Sequence, residues 1–182
     1  MKSTKKIAVI ALGKRNAGKS NTWYEIFGKT IRSGVKRLPL NGNIASIQVK
    51  NASFEESGDD IKIYFKVQVI NASNEESGYQ LEDYLDVDDL PYIVFCSVQY
   101  VQDGVKTIDW FREHGYFLYI QWINPGYHDG QPYDDFLGLE ERYIADGVFT
   151  KVSGKEKKRR AVSIVNFLSQ WVRTNDVPGD VN

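Results

Sequence analysis

The sequence is poorest in sulfur. Its 182 residues include one cysteine and one methionine. A single cysteine excludes an internal disulfide framework and leaves no thiolate set for a zinc cluster. Cys96 sits inside the apolar run YIVFCSV and reads as a buried structural thiol. Excess charge of one sign is also lacking. Lys and Arg number 23 and Asp and Glu 24, for a net charge of −1. That balance gives no indication of nucleic acid or of an anionic membrane surface. Long apolar runs are missing as well. None approaches the ~20 apolar residues of a membrane span. The stretch Ile7 to Leu12 is too short for a secretory signal core and runs straight into a glycine loop. These absences predict a cytoplasmic protein with no membrane attachment.

What is present suits one folded domain. Hydrophobic residues make up 42% and charged residues 26%, in a chain long enough for a sizeable core. The pattern predicts a single domain over 1–173 and a polar, flexible tail over 174–182, from the sequence TNDVPGDVN. Residues 6–12 form a short continuous apolar run, as a central parallel strand does. A helix is expected from Lys19 to Arg32, with Trp23, Ile26, Phe27 and Thr30 at helical spacing and Gly34 as its stop. Residues 44–50 and 61–70 read as strands whose short link suits a hairpin. Further strands are expected at 92–99, 116–123 and 147–152. Helices are expected at 103–114, 133–145 and over the last segment. There Ala161, Ile164, Val165, Leu168, Trp171 and Val172 fall on one face. Alternating strands and helices predict a three-layer α/β fold with a mostly parallel central sheet and an antiparallel hairpin.

The stretch that carries chemistry is GKRNAGKS, residues 13–20. It follows a predicted strand and opens a predicted helix. Glycines let backbone N–H groups turn inward around phosphate oxygens, and the helix aims its positive end at them. A lysine at position 19 reaches the β- and γ-phosphates, and a serine at position 20 can ligate Mg²⁺. Over residues 6–32 the chain resembles the P-loop NTPase superfamily. That resemblance implies a P-loop NTPase-type fold and a phosphate site lined by Gly13, Asn16, Ala17, Gly18, Lys19, Ser20 and Asn21. The ligand it implies is ATP or GTP with Mg²⁺.

The superfamily's second apolar strand usually ends in an Asp that holds the Mg²⁺ shell. Here the strands end otherwise. Asn71, after IKIYFKVQVI, is the nearest polar substitute and is assigned with Ser20 to the metal. Glu75 and Glu76 follow and are assigned, with Lys19, to catalysis. Gln99 is another group able to orient a water, and Asp86, Asp88 and Asp89 form a further acidic stretch read as a solvated loop. QVKNASFEESG at 48–58 and QVINASNEESG at 68–78 agree at all but two positions. Each carries a capping-box pattern, read as two strand ends sharing one exit turn; the alternative is Glu pairs facing the phosphate edge.

The element order is also similar to that of a small GTPase. Guanine readers of that family use N-K-x-D after a late strand. Here Asn124 opens NPGYHD instead, and the reading leans to ATP over GTP. GKEKKRR, at 154–160, places basic residues at the start of the last helix, with Arg159 or Arg160 able to approach a transferring phosphoryl. The bland reading is a solvated basic turn. His128 reads as an ordinary loop residue, and His114 as a cation suited to a helix end.

Three functions follow from these residues: a slow NTPase or switch, a small-molecule or nucleotide kinase, and a nucleotide-binding interaction module with little turnover. The sequence names neither an acceptor nor a protein partner.

Overall fold

The computed structural model describes residues 4–41, 63–71, 78, 80–125 and 135–181. Strand β1 spans Ile7–Gly13. Helix α1 follows at Lys19–Phe27, and then strands β2 (Gly34–Leu40) and β3 (Ile63–Ile70). Three strand–helix units come next: β4 (Ile93–Gln99) with α2 (Gln102–Glu113), β5 (Phe117–Ile123) with α3 (Leu139–Tyr143), and β6 (Gly147–Val152) with α4 (Lys157–Thr174). A short strand β7, Asp180–Val181, closes the described chain.

The sheet runs in the order β2-β3-β4-β1-β5-β6, with β7 beside β3. β1 is parallel to both β4 and β5, and β3–β4 and β5–β6 are also parallel. β2 and β7 run antiparallel to β3. The period-2 alternation of the strands divides the core into two layers. Ile7, Val9 and Ala11 face α1 and α4, packing with Trp23, Ile164, Leu168 and Val172. Ala8, Ile10 and Leu12 face α2 and α3, packing with Val105, Ile108, Phe111, Leu139 and Tyr143. The central strand is buried on both faces, which is why it reads as an unbroken apolar run. Burying each large side chain contributes about 1.5–3 kcal/mol. The three-layer, mostly parallel α/β architecture is as the sequence predicts. Among the described residues no helix is long and apolar enough to cross a membrane.

Four local expectations are corrected. α1 ends at Phe27, before the expected Arg32, because Gly28 takes a left-handed conformation (φ 69°) and its N–H closes on Tyr24 O at 2.8 Å. The antiparallel partner of β3 is Gly34–Leu40, a segment whose mostly polar first half hides its strand character. The 44–50 segment lies outside the described residues. Among the described residues of the helix expected over 133–145, the regular part is Leu139–Tyr143, with a 3₁₀ turn to Asp146. Asp135 caps it, its carboxylate accepting from the N–H groups of Leu139 and Glu140.

The tail is the fourth. Val177 is buried, with its N–H on Val172 O at 3.1 Å. Asp180 pairs with Tyr64 in the sheet and with Arg37 at 3.1 Å. The segment after α4 is therefore packed on β3 rather than free, because β4 covers only the Val67–Ile70 half of that strand.

Candidate functional site

Register brings the site residues together. Ile70 lies beside Cys96, and Ala11 beside both Ser97 and Gln121, so the C-terminal ends of β3, β4 and β1 form one edge. The Gly13–Gly18 loop leaves β1 there. Asn16 (φ 64°) and Gly18 (φ 101°) both take left-handed conformations, which turns successive amides toward a common centre. The Ala17 N–H is used internally, on Lys14 O at 3.2 Å. Gly13 is required by space. A Cβ there would lie 2.9 Å from Ala17 Cβ and 3.1 Å from Ile123 O.

Helix α1 begins with no side-chain cap and no acidic residue in its first turn. The amides of a helix's first turn have no intrahelical acceptor, and the dipole adds partial positive charge. Both features favour an anion at this end. Lys19 is buried, with its Nζ donating to Gly13 O at 3.0 Å and Lys14 O at 2.8 Å, so its charge lies over the loop itself.

Asn16, Gly18, Lys19, Ser20, Asn21, Asn71 and Ser97 line an open cavity of about 310 Å³. Asn71 is its organiser. The Oδ1 atom accepts from Ser20 Oγ at 3.3 Å and from Ser97 Oγ at 3.2 Å. Its Nδ2 donates to Ile31 O at 2.8 Å, and its backbone N–H donates to Ser33 Oγ at 2.9 Å. Behind Ser97, the buried Trp23 donates its indole N–H to Ser97 Oγ at 2.8 Å and stacks on Phe95 with ring centroids 5.1 Å apart. A serine hydroxyl that donates to Asn71 keeps its lone pairs for a cation, so Ser20 and the amide oxygen of Asn71 are hard oxygen donors of the kind Mg²⁺ accepts. No cluster of three or more His, Cys, Asp or Glu able to hold a metal occurs among the described residues.

Five of the seven residues assigned to the phosphate site line the cavity, and Asn71 joins them from β3. Gly13 and Ala17 do not. Ala17 is buried beneath the loop, where Gly13 leaves room for it. Glu75 and Glu76 lie outside the described residues, as does His128. Ser97 was legible only as a small polar residue inside the apolar run YIVFCSV, and period 2 alone does not say which strand edge it meets.

The basic segment is split by the fold. Arg159 is exposed and pairs with Glu156. Arg160 is buried behind the loop and donates to protein carbonyls, so it does not reach toward a phosphoryl group. Beside it Gly154 packs against the loop. Its N–H donates to Asn124 Oδ1 at 2.6 Å, and a Cβ at Gly154 would clash with the Asn124 amide and stand 3.1 Å from Ala17 O. Trp23 is core, whereas its neighbour Tyr24 is exposed. No family model matches the chain, and no curated protein matches its sequence.

Proposed function

We propose that this chain is a P-loop protein that binds a purine nucleoside triphosphate with Mg²⁺ and hydrolyses it slowly, as an NTPase or nucleotide switch. The observation that carries the reading is the loop itself. Two left-handed residues, an uncapped helix N-terminus and the Lys19 ammonium converge on one polar cavity. That combination suits a chain of phosphates more than a neutral ligand. Ser20 and Asn71 are the residues that would hold Mg²⁺, which supplies neutralisation of charge on the phosphate oxygens.

The neutral oxygen of Asn71 favours the low-turnover end of this range, including an interaction module that binds nucleotide and turns over little. The kinase reading keeps Arg159 alone of its two candidate arginines, since Arg160 is committed to the loop's rear. The base would sit on the side of Asn124 and the Ser153–Gly154 turn, where the described residues touch the phosphate loop from the β5–β6 side.

Calorimetry with Mg-ATP and Mg-GTP tests the assignment. Lys19→Ala should weaken binding about 10- to 100-fold, the scale of one hydrogen bond to a charged group. Equal affinities for wild type and Lys19→Ala, or no binding of either nucleotide to wild type, would overturn it.

A further inference from the structure

A buried cation stands directly behind the phosphate loop. Arg160 is 2% exposed. Among the described residues no carboxylate lies within ion-pair distance of it. The nearby Glu25 is engaged by Lys157 at 3.0 Å. Every acceptor of Arg160 among the described residues is neutral. Nη1 donates to Ser153 O at 2.6 Å and Gly154 O at 2.9 Å. Nη2 donates to Gly18 O at 3.2 Å and Thr22 Oγ1 at 3.2 Å, and Nε also donates to Thr22 Oγ1 at 3.3 Å. Burial lowers the guanidinium pKa from its ordinary value, with Glu25 acting in the opposite sense. Arginine still remains charged in a protein at neutral pH.

The contact with Gly18 matters for chemistry on the other side. Gly18 C=O and Lys19 N–H belong to one peptide group. A guanidinium donating to that oxygen polarises the group, and its N–H becomes a stronger donor. The Lys19 amide is in the first turn of α1, where no intrahelical acceptor exists. The same cation fastens the Ser153–Gly154 turn to α1, so the phosphate side and the base side of the site share one strap.

We infer that Arg160 is a positioning residue for polyphosphate, supplying from behind the loop a buried positive charge that a bound phosphate chain offsets. The inference rests on the nucleotide reading above. A buried ion without a countercharge is costly to the fold, and an anion in the loop relieves that cost without touching Arg160. The added affinity belongs to the phosphates and is independent of the base.

Inorganic pyrophosphate with Mg²⁺ is therefore the probe, measured by calorimetry on the full chain. Arg160→Gln should weaken its binding about tenfold, as loss of a charge-assisted interaction does. Arg160→Lys keeps the charge and should stay within about threefold of wild type. Thr22→Val also keeps the charge, removing only the hydroxyl that Nε and Nη2 share, and should bind pyrophosphate as wild type does. A tenfold loss in Arg160→Lys or Thr22→Val would mean that Arg160 acts through geometry alone, which overturns the proposal. If Arg160→Gln does not fold, those two variants decide by the same criteria. Failure of the nucleotide reading looks different: wild type and Lys19→Ala would bind pyrophosphate equally or not at all. Weakening by Lys19→Ala with none by Arg160→Gln would sink the Arg160 role alone.

Discussion

Ser20 and Asn71, 51 positions apart in the chain, meet at 3.3 Å across the mouth of the cavity. The amide of Asn71 also reaches Ile31 O. One neutral side chain thus ties the start of α1 to the end of β3 and to the segment entering β2. Asn71→Asp keeps the size of the group and supplies a carboxylate beside Ser20. The Mg²⁺ concentration that half-saturates nucleotide binding should fall roughly tenfold, on the scale of an added charge-assisted contact. Asn71→Ala should raise it, since Ser20 and Ser97 lose their shared acceptor. Magnesium titrations that superimpose for wild type and Asn71→Asp would remove Asn71 from the metal's surroundings.

Base choice should be weak. N-K-x-D is missing after β5, and the amide oxygen of Asn124 is already engaged by the Gly154 N–H. A site built to hydrogen-bond one base rejects another strongly, because its buried polar groups are left unpaired. GTP and ATP are expected to compete within about tenfold of each other. A strong preference for GTP in competition binding would show that the residues after Ile123 read guanine by other groups.

Turnover by the isolated chain should be slow. Phosphoryl transfer needs a held metal, a placed nucleophile and charge stabilisation on the phosphoryl oxygens. With a neutral oxygen at Asn71, a loss of about 1.4 kcal/mol of transition-state stabilisation already slows the step tenfold. Glu75→Gln and Glu76→Gln should lower residual phosphate release while sparing nucleotide affinity. Steady-state phosphate-release assays giving several turnovers per second, unchanged in both variants, would refute the slow step and the role given to that pair.

High pH should unfold the protein through its buried phenols. Burial pushes the Tyr116 phenol well above its ordinary range, and the hydroxyl donates to Pro91 O at 2.8 Å. Burial, then the neighbouring Asp109 carboxylate, raises Tyr143 likewise, and burial raises Tyr119. These groups stay neutral in the fold while the unfolded chain ionises near pH 10. Their contribution is complete below about pH 10 and is lost as pH climbs toward the folded values. Urea unfolding across an alkaline series should show that loss, and Tyr116→Phe should flatten it. If all 11 tyrosines titrated together near pH 10 with the fold intact, as phenolate absorbance would reveal, the idea fails.

The sequence by itself determined the strand, loop and helix that carry GKRNAGKS. Each of those signals is local: an apolar run buried on both faces, a glycine at 13 where space is short and another at 18 where the chain turns left-handed, and a 3.6-residue period after Lys19. The alternation of strands with helices likewise decided the three layers, because each apolar face needs a cover. Local pattern failed where a neighbour supplied the reason for the structure. Gly34–Leu40 is a strand because β3 pairs with it, and its own polar first half says little. Asn175–Val181 packs because half of β3 lacks β4 beside it. Ser97 enters the site only because the β3–β4 and β1–β4 registers set it between Asn71 and Ala11. Arg160 reads as one more basic residue of GKEKKRR, and only the crossing of α4 with α1 turns its guanidinium inward. Strand order, register and helix packing join residues far apart in the chain, and those contacts have no periodic trace in sequence.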